Sequence, residues 1–301
     1  MSFDKLGTVS LLLNYPSSAK PYFEKSLRLA DELAETEEEK HDLAIGYQKL
    51  ADLCLRLADT LSAKLYYEKN LKLCEQIAAS APQSRPIRRD LSISYFKLGN
   101  VCLREGSAKV AKQYFERQRQ LCEELAAESP ASVEAQRDLS ISYDRLGDAS
   151  LGLKDSVEAK LYFEKSMMLS KQLVVAEPQN SQSIRDLCIS LIKLGDLSLQ
   201  SEDPETAKSN YEEAMKLREE LASNEPQSVK EQIALHVAYA RMGLCEQSRK
   251  QYQLAIQWYE KSLTILETLD SANKLTPVER QRVKGVEAAL NACRAGLGNP
   301  R

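Results

Sequence analysis

The stretch that decides the fold is Tyr143-Asp144-Arg145-Leu146-Gly147, followed twelve residues after its glycine by Ala159-Lys160-Leu161-Tyr162-Phe163-Glu164-Lys165. The first block returns as Tyr95-Phe96-Lys97-Leu98-Gly99, Leu191-Ile192-Lys193-Leu194-Gly195 and Tyr239-Ala240-Arg241-Met242-Gly243, so the glycines step by 48 residues. Tyr47-Gln48-Lys49-Leu50-Ala51 continues the series backwards, and Phe3-Asp4-Lys5-Leu6-Gly7 lies 44 residues before that. The second block begins at Ala19, Ala63, Ala111, Ala159, Ala207 and Ala255, which makes six copies.

Working outward from the quoted copy, Leu139, Tyr143, Leu146 and Ala149, then Ala159, Phe163, Met167, Leu169 and Leu173, fall at helical spacing. Each unit therefore predicts two amphipathic helices. Pro82, Pro130, Pro178 and Pro226, again 48 apart, sit in short polar stretches where a missing amide and a restricted preceding residue end one helix. They mark the joints between units. The glycine of the first helix and the alanine of the second let two antiparallel helices approach closely, with an aromatic such as Phe115 filling the space beside them.

Composition agrees with a folded repeat protein. The 41 basic and 44 acidic side chains are interspersed and leave a net charge of −3, which argues against a nucleic-acid binder. Hydrophobic residues at 43% supply a core. The early apolar run at residues 9–13 is broken by Ser10 and lacks a basic flank, so neither a signal peptide nor a membrane span is expected and a cytoplasmic location follows by default. Seven cysteines occur without a Cys-x-x-Cys pair and read as reduced thiols.

The Leu-Gly pair, the alanine twelve residues on and the aromatic four beyond it resemble the tetratricopeptide repeat signature over about residues 2–270. The period of 48 exceeds the roughly 34 residues of that family's usual unit, which adds about two turns to each helix. The stretches reading Arg-Asp-Leu-Ser-Ile-Ser-Tyr are similar to the long tetratricopeptide units attached to bacterial signalling proteins. A HEAT or armadillo solenoid reaches a period in the mid-forties, but the Leu-Gly, alanine and aromatic spacing is not expected there.

The resemblance implies an all-α, right-handed superhelical solenoid of antiparallel helix hairpins. Residues 1–271 would form six hairpins, the first truncated, and residues 276–296 a C-terminal capping helix that starts at Pro277 and ends before Gly296. An unfinished first unit leaves apolar surface, so the chain is expected to be cut from a longer protein or to self-associate through that end.

By the same resemblance, the inner wall of the superhelix comes from the first helix of each hairpin, with partner contacts three before and one after the glycine. Those positions include Gln48, Asp52, Phe96, Asn100, Asp144, Asp148, Ile192 and Asp196. Family members that clamp acidic chaperone tails use Lys, Arg and Asn there, and only Asn100 matches. The implied partner of this groove is a protein or peptide carrying basic and apolar residues. The alternative for the acids is an ion pair with Lys49, Arg145 and Lys193, three residues before Asp52, Asp148 and Asp196. The alternative for the whole chain is a regulatory or self-assembly segment of a larger bacterial signalling protein.

Other residues are read as structural. Arg89-Asp90, Arg137-Asp138 and Arg185-Asp186 recur near the start of the first helix, and Glu35, Glu37, Glu38 and Glu39 form an acidic run in the first linker that reads as a solvated joint. His41 is expected at the surface near a helix start, and lies 195 residues from His236. Trp258, Tyr259 and Tyr252 make an aromatic cluster that is either a hot spot or core. No nucleophile, phosphate loop or ligand cluster is legible, so no enzyme, cofactor or metal is expected.

Overall fold

The structure, a computed structural model, describes residues 15–298 together with Leu6, Thr8 and Ser10. Among the described residues there are twelve long helices and no strand. They are α1 (Pro16–Leu33), α2 (Glu37–Arg56), α3 (Thr60–Ser80), α4 (Arg85–Arg104), α5 (Ala108–Glu128), α6 (Val133–Gly152), α7 (Ser156–Ala176), α8 (Ser181–Gln200), α9 (Pro204–Asn224), α10 (Val229–Ser248), α11 (Tyr252–Ser271) and α12 (Pro277–Gly298). The helix expected around Gly7 falls, for the most part, outside the described residues. The chain divides into two compact units, Met1–Ala159 and Lys160–Arg301. In the first unit α2 pairs with α3 and α4 with α5, and in the second α8 pairs with α9 and α10 with α11, with α12 packed on α11.

The glycines of the first helices are explained by aromatic rings. A Cβ on Gly99 would lie 2.5 Å from Phe115, one on Gly195 2.5 Å from Tyr211, and one on Gly243 2.7 Å from Tyr259. Phe115 is fully buried, and Tyr211 and Tyr259 nearly so. Burying each such ring is worth about 1.5–3 kcal/mol.

The turn inside each hairpin uses one left-handed residue. Ala58 (φ 59°), Gly106 (76°), Lys154 (64°), Glu202 (57°) and Lys250 (61°) occupy it at 48-residue steps. The amide of the following residue then reaches back over the helix end: Asp59 to the Cys54 carbonyl at 2.9 Å, Ser107 to Cys102 at 2.8 Å, Asp203 to Ser198 at 2.9 Å and Gln251 to Glu246 at 2.8 Å. That same following residue caps the second helix where it is acidic, since Asp59 accepts from the Ser62 amide and Asp203 from Thr206. Between hairpins, the prolines lie in exposed turns, and Ser132, Asn180 and Ser228 cap the helices that follow.

In several hairpins one buried position on the first helix faces one on the second. Ala44 faces Asn70, whose amide donates to the Ala44 carbonyl at 2.8 Å. Cys188 faces Ala214, and His236 shares a 2.7 Å hydrogen bond with Ser262. In α2/α3 and α10/α11 a larger residue on one side thus meets a small one on the other. The described cysteines are free and buried, and burial pushes their thiols up, Cys188 to about 11.

Two local expectations change. Glu37, Glu38 and Glu39 are not a solvated linker but the first turn of α2: Thr36 and Glu39 form a capping box, and the positive helix end favours the acids. Gly296 lies inside α12, which runs on to Gly298, and a Cβ there would come within 3.1 Å of the Tyr252 ring.

Candidate functional site

Each hairpin's first helix carries the candidate positions. In the first unit, Gln48 and Phe96 are half-buried. Asp52 accepts from the Tyr67 hydroxyl and, at 2.8 Å, from Lys97 of the next hairpin. Asn100 turns its amide to the Phe96 carbonyl at 2.9 Å. Asp144 is buried, 3.2 Å from Arg145, and Asp148 meets the same guanidinium at 2.9 Å. In the second unit, Ile192 packs with the Tyr211 and Met215 cluster. Asp196 accepts from the Tyr211 hydroxyl at 2.6 Å and lies 2.9 Å from Arg241. Burial raises the Asp196 carboxyl above its ordinary range, partly offset by Tyr211 and Arg241.

The acids are therefore engaged within the protein, by partners the spacing identified only in part. Arg145 pairs with Asp148 three residues on, as an intrahelical pair. Asp52 and Asp196 instead take the cation two before the glycine of the following hairpin. The ring column explains their hydroxyl bonds. Tyr67 and Tyr211 stand over Asp52 and Asp196, whereas Phe115, without a hydroxyl, accompanies Asn100.

Other polar columns also join consecutive hairpins. Arg89 reaches Asp138 at 2.7 Å, and His41, in the equivalent position, meets Asp90 at 3.1 Å. Arg185 reaches Glu231 at 2.8 Å. Tyr95 donates to Glu75 and Tyr239 to Glu219, each at 2.8 Å. Trp258 belongs to this framework: it stacks on Tyr239 at 5.7 Å under Lys261, as Tyr47 stacks on Tyr66 and Tyr95 on Tyr114. These columns hold hairpins together, and among the described residues they leave no converging acid, base and nucleophile. Among the described residues no group of three or more His, Cys, Asp or Glu is placed to hold a metal ion, and no helix is long and apolar enough to cross a membrane.

The geometry adds a column that spacing had not singled out. Six residues before each glycine position stand Ile45, Ile93 and Ile141 in the first unit and Ile189 and Val237 in the second. None is fully buried, and Ile45 and Ile189 are 39% and 38% exposed. A β-branched aliphatic in five of the six copies, kept out of the core, was the available signal. In the first unit Ile45, Lys49, Asp52 and Arg56 line one cleft of about 670 Å³ on α2, with Phe23 and Leu27 of α1.

Residues 190–221 and 236–265 match the family model described as tetratricopeptide repeat. Both segments carry tetratricopeptide repeats. Tetratricopeptide proteins are, in general, non-catalytic scaffolds for protein interaction, which agrees with the engaged polar columns. No curated protein matches the chain in sequence. Solved structures share the tetratricopeptide-like helical fold at low identity. BtubC (BKLC) from P. vanneervenii superposes with a TM-score of 0.63 at 17% identity, over 86% of this chain and 92% of that one. The apo form of RapI gives 0.57 at 11% identity, over 98% and 97%. A Signal Transduction ATPase with Numerous Domains with a tetratricopeptide repeat sensor, from Pyrococcus horikoshii, gives 0.59 at 14% identity, over 96% of this chain and 37% of that one.

Proposed function

We propose that the chain is a protein-interaction scaffold that holds an apolar segment of a protein partner against the first helices of its hairpins. The observation that supports this reading is the aliphatic column Ile45, Ile93, Ile141, Ile189 and Val237, retained in five of the six copies yet partly open to solvent. Asp52 and Asp196 are already matched by Lys97 and Arg241, so a basic partner would have to displace an existing ion pair, whereas an apolar one gains buried area without that cost. Phe96 and Ile192 extend the apolar surface at the neighbouring positions.

The test is selection of binding peptides from a random library on the intact chain. Aliphatic sequences are expected to be enriched, and Ile45→Asp together with Ile189→Asp should remove the enrichment while the helical circular dichroism spectrum is kept. Enrichment of Lys- and Arg-rich peptides that survives both substitutions would defeat the reading.

A further inference from the structure

The joints between hairpins follow a pairing rule. The residue two before the glycine position answers to the residue one after the glycine position of the hairpin before it. Lys97 meets Asp52 at 2.8 Å, and Arg241 lies 2.9 Å from Asp196. Where the acid is replaced, the cation changes too. The counterpart of Asn100 is Arg145, which turns to Asp148 and Asp144 of its own helix. The counterpart of Leu244 is not a cation at all but Ala289 of α12. One joint breaks the rule. The register sets Thr8 against Lys49, yet the lysine is kept. Among the described residues Lys49 has no ion pair or hydrogen bond.

An unpaired lysine is common on a solvated surface. Lys49 differs in its column, where the cation is matched at Lys97, Arg145 and Arg241 and deleted at Ala289. It also stands in the cleft of about 670 Å³ that Thr8 and the exposed Ile45 help to line. Asp42, Ile45, Lys49, Asp52 and Arg56 follow one another along α2 at three- and four-residue spacing, as a single stripe. Asp52 is taken by Tyr67 and Lys97, so the open charges are Asp42 at the start of the stripe and Lys49 and Arg56 beyond Ile45. A carboxylate beside the aliphatic is therefore attracted on the Lys49 side and repelled on the Asp42 side.

We infer that this cleft takes a partner segment in which an aliphatic residue on Ile45 is accompanied by an Asp or Glu that pairs with Lys49, the acid that the preceding hairpin does not supply. Because Ile45 provides the apolar half of the site, this acid preference rests on the scaffold reading proposed above. The cation lies two before the glycine position, whereas the positions three before and one after it are Gln48 and Asp52.

Peptides selected on the intact chain from a random library should carry Asp or Glu at a fixed offset from an aliphatic residue. Changing that acid to its amide should weaken binding to the wild-type chain about threefold or more, and should leave binding to Lys49→Ala unchanged. Thr8→Asp, which writes the missing acid into the column, should remove the acid preference while aliphatic enrichment stays. Lys49 and Thr8 are exposed, so both variants should keep their helical spectrum. Aliphatic peptides with no acid preference would overturn the inference and leave the apolar groove standing. An equal loss on wild type and Lys49→Ala when the acid is removed would overturn it as well. Acidic peptides poor in aliphatics, bound equally by wild type and Ile45→Asp, would instead remove the apolar reading and this site with it.

Discussion

Hairpins α2/α3 and α8/α9 follow one plan 144 residues apart, yet they join the preceding helix by different chemistry. In the earlier hairpin Tyr47 stacks on Tyr66, donates to Asp31 of α1 at 2.8 Å, and lies under Lys69, which is itself 3.7 Å from Asp31. In the later one the four positions read Leu191, Asn210, Lys171 and Glu213. Leu191 is fully buried and Lys171 meets Glu213 directly at 2.9 Å. Acid and base have changed places, and the ring that stood between them has gone. A joint between hairpins is therefore specified by a set of positions that change together. The buried pairs behave alike, since Ala44 with Asn70, Cys188 with Ala214 and His236 with Ser262 exchange volume across the same gap.

The largest expected effect separates the last of these pairs from the other two. Burial, with Arg282 nearby, lowers His236 to about 4 from its ordinary 6.5. Between those values the unfolded chain binds a proton that the folded chain refuses, so stability is complete above pH 6.5 and is lost as pH falls toward 4. The loss reaches about 3 kcal/mol at most. Urea denaturation of wild type and His236→Gln at pH 7 and pH 5 measures it: the difference between the two chains should shrink on acidification. An unchanged difference would mean that His236 titrates normally.

A smaller effect tests the glycine column. Gly195→Ala would press a methyl against Tyr211 at 2.5 Å and should destabilise the second unit by about 1–3 kcal/mol. In α2/α3 the same position is already Ala51, fully buried in the hairpin that holds Tyr67. Ala51→Gly should cost about 1 kcal/mol through helix propensity alone. Opposite preferences at one repeat position would show that each hairpin is packed around its own ring placement. A neutral Gly195→Ala would show instead that Tyr211 shifts freely.

Much of this was legible in the sequence because repetition turns single residues into columns. The Gly99, Gly147, Gly195 and Gly243 series, its aromatic partners and the proline joints determine helix number and pairing before any coordinates are seen. The ion pairs were less legible. Spacing within one helix suggests Lys49 for Asp52, but the stagger between hairpins brings Lys97, and that stagger leaves no mark on a single helix. Ile45 and its equivalents look like ordinary helix-face residues until their exposure is known. The acidic run at Glu37 was misread because the capping role of Thr36 depends on where α2 starts.

The smallest effect returns to the exchanged joint. Lys171 and Glu213 are 43% and 42% exposed, so their ion pair should contribute only a few tenths of a kcal/mol, and Lys171→Ala should be nearly silent in urea denaturation. Asp31→Ala removes the acceptor of a phenol whose ring is buried, and should cost about 1 kcal/mol. Tyr47→Leu, which writes the later hairpin's residue into the earlier one, leaves Asp31 and Lys69 in place and loses the stacked ring. If the columns act as a set, Tyr47→Leu should be costly alone, and exchanging Asp31→Lys with Lys69→Glu in its presence should leave stability within about 0.5 kcal/mol of that single variant, because the open ion pair has either polarity to choose from. A large penalty for the exchange would show that the polarity of the first joint is held by groups beyond the four positions.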